Sequence, residues 1–196
     1  MITLALETST ARGGVALFRE GEMVFCESFT ADRSHSAELF AVIERALAGG
    51  MAPGRIVVGL GPGSYAGVRI AIAGAIGVAV ATGAEMVGVP SVAALDEGEY
   101  VAVGDARRGG YWYAHVRAGE MVAGPMLVTR EEMEERLAGA GRPVFSSEEL
   151  GIVGIEVRYP QVEWLGRLAV EGRCGATRGA LEPIYLREPH ITAPKG

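Results

Sequence analysis

The order of apolar and polar positions along the chain predicts strands first and helices between later ones. Residues 2–8 are mainly apolar and read as a buried strand. Residues 15–18 and 23–29 flank the turn Arg19-Glu20-Gly21-Glu22, a hairpin signal. Residues 36–48 place Leu39, Phe40, Ile43, Ala46 and Leu47 on one helical face, and Gly49-Gly50 ends the helix. Residues 55–60 read as another buried strand, residues 66–81 as a second helix and residues 85–89 as a further strand. The predicted order is three strands, helix, strand, helix, strand.

The opening then recurs. A displacement of 98 positions carries Gly21-Glu22-Met23-Val24 onto Gly119-Glu120-Met121-Val122, Arg19 onto Arg117 and Ala16 onto Ala114. It also carries Glu7, at the end of the first strand, onto Asp105. Residues 130–138, with Met133 and Leu137 on one side, supply the matching helix, and residues 143–146 a short strand. Two hairpins alike by chance are one explanation. The preferred one is a duplicated α/β unit: an actin-like (ribonuclease H-like) fold of two lobes, residues 1–97 and a smaller 98–196 that includes the tail. In that architecture a ligand lies between the lobes near the two strand ends.

Composition narrows the function classes. Hydrophobic residues make up 49% and charged residues 21%, which argues for a folded chain rather than a disordered one. The net charge of -6 gains nothing from counterion release, so the isolated chain is expected to bind nucleic acid weakly. Cys26 and Cys174, far apart and outside any CxxC, read as reduced packing thiols of a cytosolic protein. Glu7 and Arg12 interrupt a start that has no basic leader, against a signal peptide. Residues 70–81, the most apolar run, fall short of the roughly 20 residues that span a bilayer. They read as a buried helix of a soluble, cytoplasmic protein without membrane contact.

Lys195 is the only lysine, which sets aside Schiff-base chemistry, a Walker-type lysine and a Ser-Lys dyad. There is no GxSxG elbow, and His35, His115 and His190 are too dispersed to suggest a zinc or iron site. His35 reads as a cap or surface residue. No metal and no cofactor are expected.

Two constellations stand out. Glu7-Thr8-Ser9-Thr10 and Asp105-Ala106-Arg107-Arg108 close the two corresponding strands. A phosphotransferase of this architecture holds hydrated magnesium at such a carboxylate, and the ion's near-octahedral geometry makes carboxylate reach matter. Glu7, Ser9, Gly61, Gly63, Ser64, Asp105 and Arg107 would then outline a vestigial nucleotide cleft. The other reading, strand-end turns held by side-chain caps, is preferred. The second constellation is Gly59-Leu60-Gly61-Pro62-Gly63-Ser64-Tyr65-Ala66-Gly67-Val68-Arg69, a strand, a glycine-rich turn and a helix start. No lysine follows, and Ala66 stands at the third glycine position of GxGxxG. In the helix that follows, Gly67, Ala71, Gly74 and Ala75 fall near one side. Each helical glycine costs about 0.8–1 kcal/mol relative to alanine, so another backbone is expected to approach closely. The approaching element is the chain's own sheet or first helix, or a second polypeptide; the second polypeptide is preferred.

Leu4-Ala5-Leu6-Glu7-Thr8-Ser9, Val15-Ala16-Leu17, Arg33-Ser34-His35-Ser36, Gly61-Pro62-Gly63-Ser64-Tyr65-Ala66-Gly67-Val68-Arg69-Ile70, Asp105-Ala106-Arg107-Arg108-Gly109 and Pro183-Ile184-Tyr185-Leu186-Arg187 together resemble the TsaB (YeaZ) family. The resemblance runs nearly the whole chain in order. It implies two actin-like lobes, no activity of the chain's own, and heterodimerisation with TsaD, a paralogue that transfers a threonylcarbamoyl group to an adenosine of certain tRNAs. It also implies recruitment of the ATPase TsaE and contact with tRNA only through the complex. Ser91 and Leu95 stand where TsaD would carry its metal-binding histidine pair. The family usually has aspartate at the position of Glu7. On this reading the partner face is a four-helix packing lined by Leu39, Phe40, Ile43, Leu47, Gly67, Ile70, Ala71, Gly74 and Gly77, open also to a homodimer. A weak ATP-binding or ATP-hydrolysing protein of the same fold is the alternative.

Overall fold

The computed structural model describes residues 1–30, 35–173 and 177–186. Readings placed on Arg33, Ser34, Cys174, Arg187, His190, Lys195 and the His35 side chain lie outside the described residues. The first lobe opens with strands β1 (Ile2–Glu7), β2 (Arg12–Arg19) and β3 (Glu22–Thr30), followed by helix α1 (His35–Ala46), β4 (Arg55–Gly59), α2 (Tyr65–Thr82) and β5 (Glu85–Val89). A 3₁₀ turn, Ser91–Ala94, leads into β6 (Glu99–Asp105), β7 (Tyr111–Arg117), β8 (Glu120–Val128), α3 (Arg130–Ala138), β9 (Val144–Ser146) and β10 (Glu156–Val157). Helix α4 (Val162–Val170) and β11 (Thr177–Arg178) close the described chain.

The repeat is structural. One sheet runs β11-β5-β4-β1-β2-β3 and the other β10-β9-β6-β7-β8, so each meander is flanked by two parallel strands in the same order. The two hairpin turns match residue for residue. Glu20 and Gly21 have φ of 52° and 88°, and Ala118 and Gly119 have φ of 50° and 84°. Positive φ at both central positions gives a hairpin turn whose twist suits the strands. Even the register break at Leu17/Phe18 recurs at His115/Val116.

β1 is the centre of its sheet, hydrogen-bonded between β2 and β4, which is why its residues from Thr3 onward are buried. Leu4 and Leu6 face α1 and α2, packing with Leu39, Val42, Val68 and Ala71. Ala5 faces the other way, with Ala16, Phe18, Val57, Leu165 and Leu168. That second layer corrects the division of the chain. Residues 98–196 do not all belong to the second lobe, because α4 crosses back onto the first sheet and β11 pairs with β5. The cause is local: α4 buries Val162, Trp164, Leu165 and Leu168, and Gly166 admits the Phe18 ring where a Cβ would collide. In the second lobe, residues 147–155 join β9 to β10 without the helix that α2 supplies in the first.

α3 is short and carried by its ends. Glu132 N donates to Thr129 Oγ1 at 3.2 Å, and Thr129 N donates to Glu132 Oε2 at 2.8 Å, a reciprocal capping box. Thr129→Ala is expected to lower stability by about 1 kcal/mol. The urea midpoint measures it, and an unchanged midpoint refutes it.

Candidate inter-lobe cleft and partner face

The carboxyl ends of β1 and β6 meet at a cleft of about 600 Å³ between the lobes. Ser9, Gly63 and Ser64 line it from the first lobe, Asp105, Arg107, Trp112 and Glu148 from the second, and residues 183–186 along one wall. Of the residues named from sequence for this site, Glu7 and Gly61 are outside that lining; Ser9, Gly63, Ser64, Asp105 and Arg107 are within it.

Glu7 lies beneath the cleft. Its carboxyl is fully buried, Oε1 accepting from Ser9 N at 2.6 Å while Oε2 finds no hydrogen-bond partner. It fits only because β4 ends in Gly59, where any Cβ would occupy the position of Glu7 Oε2. Burial pushes this carboxyl above its ordinary range, opposed by its bonds to Ser9. The sign follows from linkage. A carboxyl raised in the folded state stabilises fully below pH 4.5, and that contribution is lost as pH rises through the folded value. Glu7→Gln is therefore expected to gain on the native chain by up to about 1.4 kcal/mol per pH unit between pH 4.5 and the folded value, and to hold that gain above it. Urea melts from pH 4 to 8 read this directly; a difference independent of pH would refute it.

Asp105 is tied into its own turn. Its Oδ1 accepts from Arg107 N at 2.6 Å, its Oδ2 pairs with Arg107 Nη1 at 3.1 Å, and its own amide donates to Glu148 Oε1 at 2.9 Å. Arg107 and Arg108 both adopt positive φ there, ahead of Gly109. The glycine-rich turn is committed internally as well. Gly61 N donates to Ser91 Oγ at 2.9 Å, Ser64 N to Ser9 O at 2.6 Å, and Gly67 N to Ser64 Oγ at 3.2 Å. Thr8 Oγ1 donates to Gly67 O at 2.7 Å, and a Cβ on Gly67 would collide with the Thr8 carbonyl. These residues do not fit a magnesium–nucleotide. The first-lobe carboxyl is sealed beneath the cleft, the amides of Gly61, Ser64 and Gly67 bond within the chain, and among the described residues the lining sets Asp105 and Glu148 against Arg107. Ser91 and Leu95 are wholly buried, and no three His, Cys, Asp or Glu side chains converge among the described residues.

The helices present a different surface from the one expected. Leu39, Ile43, Gly67, Ala71 and Gly74 are buried within the first lobe, so they cannot line a partner face as the sequence suggested. The close approach that the helical glycines imply is internal: Gly67 meets the Thr8 backbone, and Gly74 lies against Phe40 and Ile43 of α1. Leu47 and Ile70 are half-buried, while Phe40 and Gly77 are exposed. α2 runs 18 residues and is apolar enough by length and composition to cross a membrane, yet it buries Val68, Ala71, Ile72 and Ala75 in the lobe. It is half-buried rather than enclosed. Its outer stripe is Ala73, Ile76, Gly77 and Val80, with Ile76 47% and Val80 83% exposed, beside Phe40 at 48%. Ala73, Ile76 and Val80 were not named from sequence for the partner face; their spacing of three and four is helical and runs back to Arg69, the one charged residue of α2.

Comparison with known proteins places these features. The family TsaD, tRNA N6-adenosine threonylcarbamoyltransferase, matches residues 29–133. The chain is 28% identical to the Escherichia coli "tRNA threonylcarbamoyladenosine biosynthesis protein TsaB" over 95% of each chain. It is 27% identical to the Haemophilus influenzae protein of that name, over 94% of this chain and 92% of the relative. An uncharacterised Mycobacterium leprae protein is 30% identical over 96% of this chain, which spans only 55% of that relative's length. Among solved structures, a Pseudomonas aeruginosa protein described as similar to peptidase YeaZ superposes with a TM-score of 0.75 at 25% identity, over 95% of this chain and 99% of the other. YeaZ from the same organism superposes with a TM-score of 0.71 at 22% identity, over 88% and 91%. The two-lobed fold, the match over the chain's central half and the end-to-end relatives agree: the chain belongs to the TsaD family and, within it, to the TsaB (YeaZ) group.

Proposed function

We propose that this chain serves tRNA threonylcarbamoyladenosine biosynthesis in the cytoplasm as a non-catalytic subunit that pairs with TsaD, with TsaE joining the pair. The observation that carries the reading is the outer stripe of α2 with Phe40 beside it: apolar, exposed and built on a helix whose other side is anchored in the core. An apolar strip of this kind marks a site for another protein surface. The names of the E. coli and H. influenzae relatives support the pathway. The commitment of the glycine-rich turn and of Asp105 to internal hydrogen bonds supports a supporting role rather than catalysis. The equivalent surface on a paralogous first lobe would pack against it, burying about 800 Å² on each partner for an interface of standard size. TsaD contacts the tRNA, which suits an acidic chain of net charge -6.

Size-exclusion chromatography of the purified chain with and without TsaD tests the proposal. Co-elution at the mass of a one-to-one pair is expected. Separate elution at micromolar concentrations, or threonylcarbamoyl transfer by the chain alone, would overturn it. A shift in the chain's own elution with concentration that Ile76→Arg removes would mean that the same stripe also pairs two copies.

A further inference from the structure

Two chain crossings join the lobes on one side. The 3₁₀ turn feeds β6, and β10 feeds α4; Gln161 N donates to Ala94 O at 2.9 Å, binding the crossings together. Tyr100 Oη adds a 2.6 Å bond to Val92 O. Ala94 and Gln161 lie outside the cleft lining, so this paired crossing is separate from it.

A third crossing runs along the cleft itself. β11 is hydrogen-bonded to β5 and tethered by Arg178 to Glu85 at 3.3 Å. Leu181 is then buried in the first-lobe core, and Ile184 packs on the same core while its amide donates to Leu60 O at 2.9 Å. Tyr185 stacks on Tyr65, ring centroids 5.3 Å apart, and Leu186 packs against the second-lobe cluster of Tyr100, Ala102 and Trp112. Within six residues, 181–186, the chain passes from one core to the other, and Pro183, Ile184, Tyr185 and Leu186 form a wall of the cleft.

We propose that residues 181–186 are a latch that sets the aperture of the inter-lobe cleft, with the crossings at Ala94 and Gln161 as its hinge. The first-lobe end of the latch is the firmer, held by a strand pair, a backbone hydrogen bond and two core side chains. Among the described residues, the second-lobe end rests on Leu186. Release therefore begins at Leu186, frees the second lobe to swing about the hinge and opens the cleft along the wall that the latch forms. Tyr65 is the first residue of α2, so the latch is seated on the helix that carries the exposed stripe.

Residual dipolar couplings of backbone amides on the intact chain test this without a partner protein. In the native chain, couplings from β1–β5 and from β6–β9 are expected to fit one alignment tensor. In Leu186→Asp, the first-lobe couplings should keep their tensor and the second-lobe couplings should lose it, fitting one of smaller magnitude or different orientation. Retention of the common tensor, with unchanged orientation, by a folded Leu186→Asp would overturn the latch, as would two tensors in the native chain. If Leu186→Asp unfolds, Leu186→Ala is read by the same rule.

Discussion

Ile76→Arg is expected to abolish co-elution with TsaD while leaving the melting curve of the isolated chain in place. Ile76 is 47% exposed at the middle of the α2 stripe and is not among the side chains packed in the first-lobe core. In the free chain an arginine there lies in water. In a pair it would be an unmatched charge driven into an apolar contact, a cost of about 3 kcal/mol or more, which is over a hundredfold in affinity. Val80→Arg, at 83% exposure, should act the same way from the next turn. Gly74 is the wrong place for such a test, because it is enclosed by Phe40, Ile43 and Leu39 and a charge there would break the lobe. Undiminished pairing of folded Ile76→Arg, by calorimetry or chromatography, would take the stripe out of the proposed interface.

Gly67→Ala is expected to be among the most damaging single-methyl changes in the chain. The added carbon would fall on the Thr8 carbonyl oxygen, a backbone atom with no rotamer to relieve it. The same residues are tied by the bond from Thr8 Oγ1 to Gly67 O, so α2 has no slack to move outward. Overpacking of this kind costs about 3 kcal/mol, and for a chain of this size that lowers Tm by roughly 6–12 °C. Gly77→Ala is the control: nothing lies within 4 Å of its Cβ position, and alanine is the better helix former. A Gly67→Ala chain melting with the native one would show that the β1 end and the start of α2 can part.

The repeat and the element order as far as β9 were legible because they rest on short-range rules, while β10, α4 and β11 went unpredicted. A glycine at a left-handed turn position and strands of even spacing read the same way in both halves, and the structure repeats the turn dihedrals at Gly21 and Gly119. What was not legible is which side of a helix meets what. Leu39, Ile43 and Ala71 announce burial by their spacing, but spacing does not name the burying surface, and in the structure it is the first sheet. On α2, isoleucines and valines occupy every direction and Arg69 is the one charged residue, too small a polar signal to set the outer side apart; Ile76 and Val80 stand out only once the sheet beneath is known. α4 shows a third limit. Its amphipathic pattern is clear, yet its destination across the molecule depends on Gly166 meeting Phe18, a contact between distant parts of the chain. In the cleft, Glu7 and Asp105 correspond by position but not by surroundings, since Gly59 and Ser91 enclose the one while Arg107 and Glu148 hold the other.

The second half of the duplication joins β9 to β10 by a loop where the first half has α2, and this omission leaves the molecule lopsided. With a like stripe on both halves, one copy could grip a neighbour at each end, and successive copies would add without limit, as head-to-tail contacts do when they fail to close. With one such helical stripe among the described residues, a subunit docked there meets no second copy of it on the duplicated half. Growth through that surface stops at a pair.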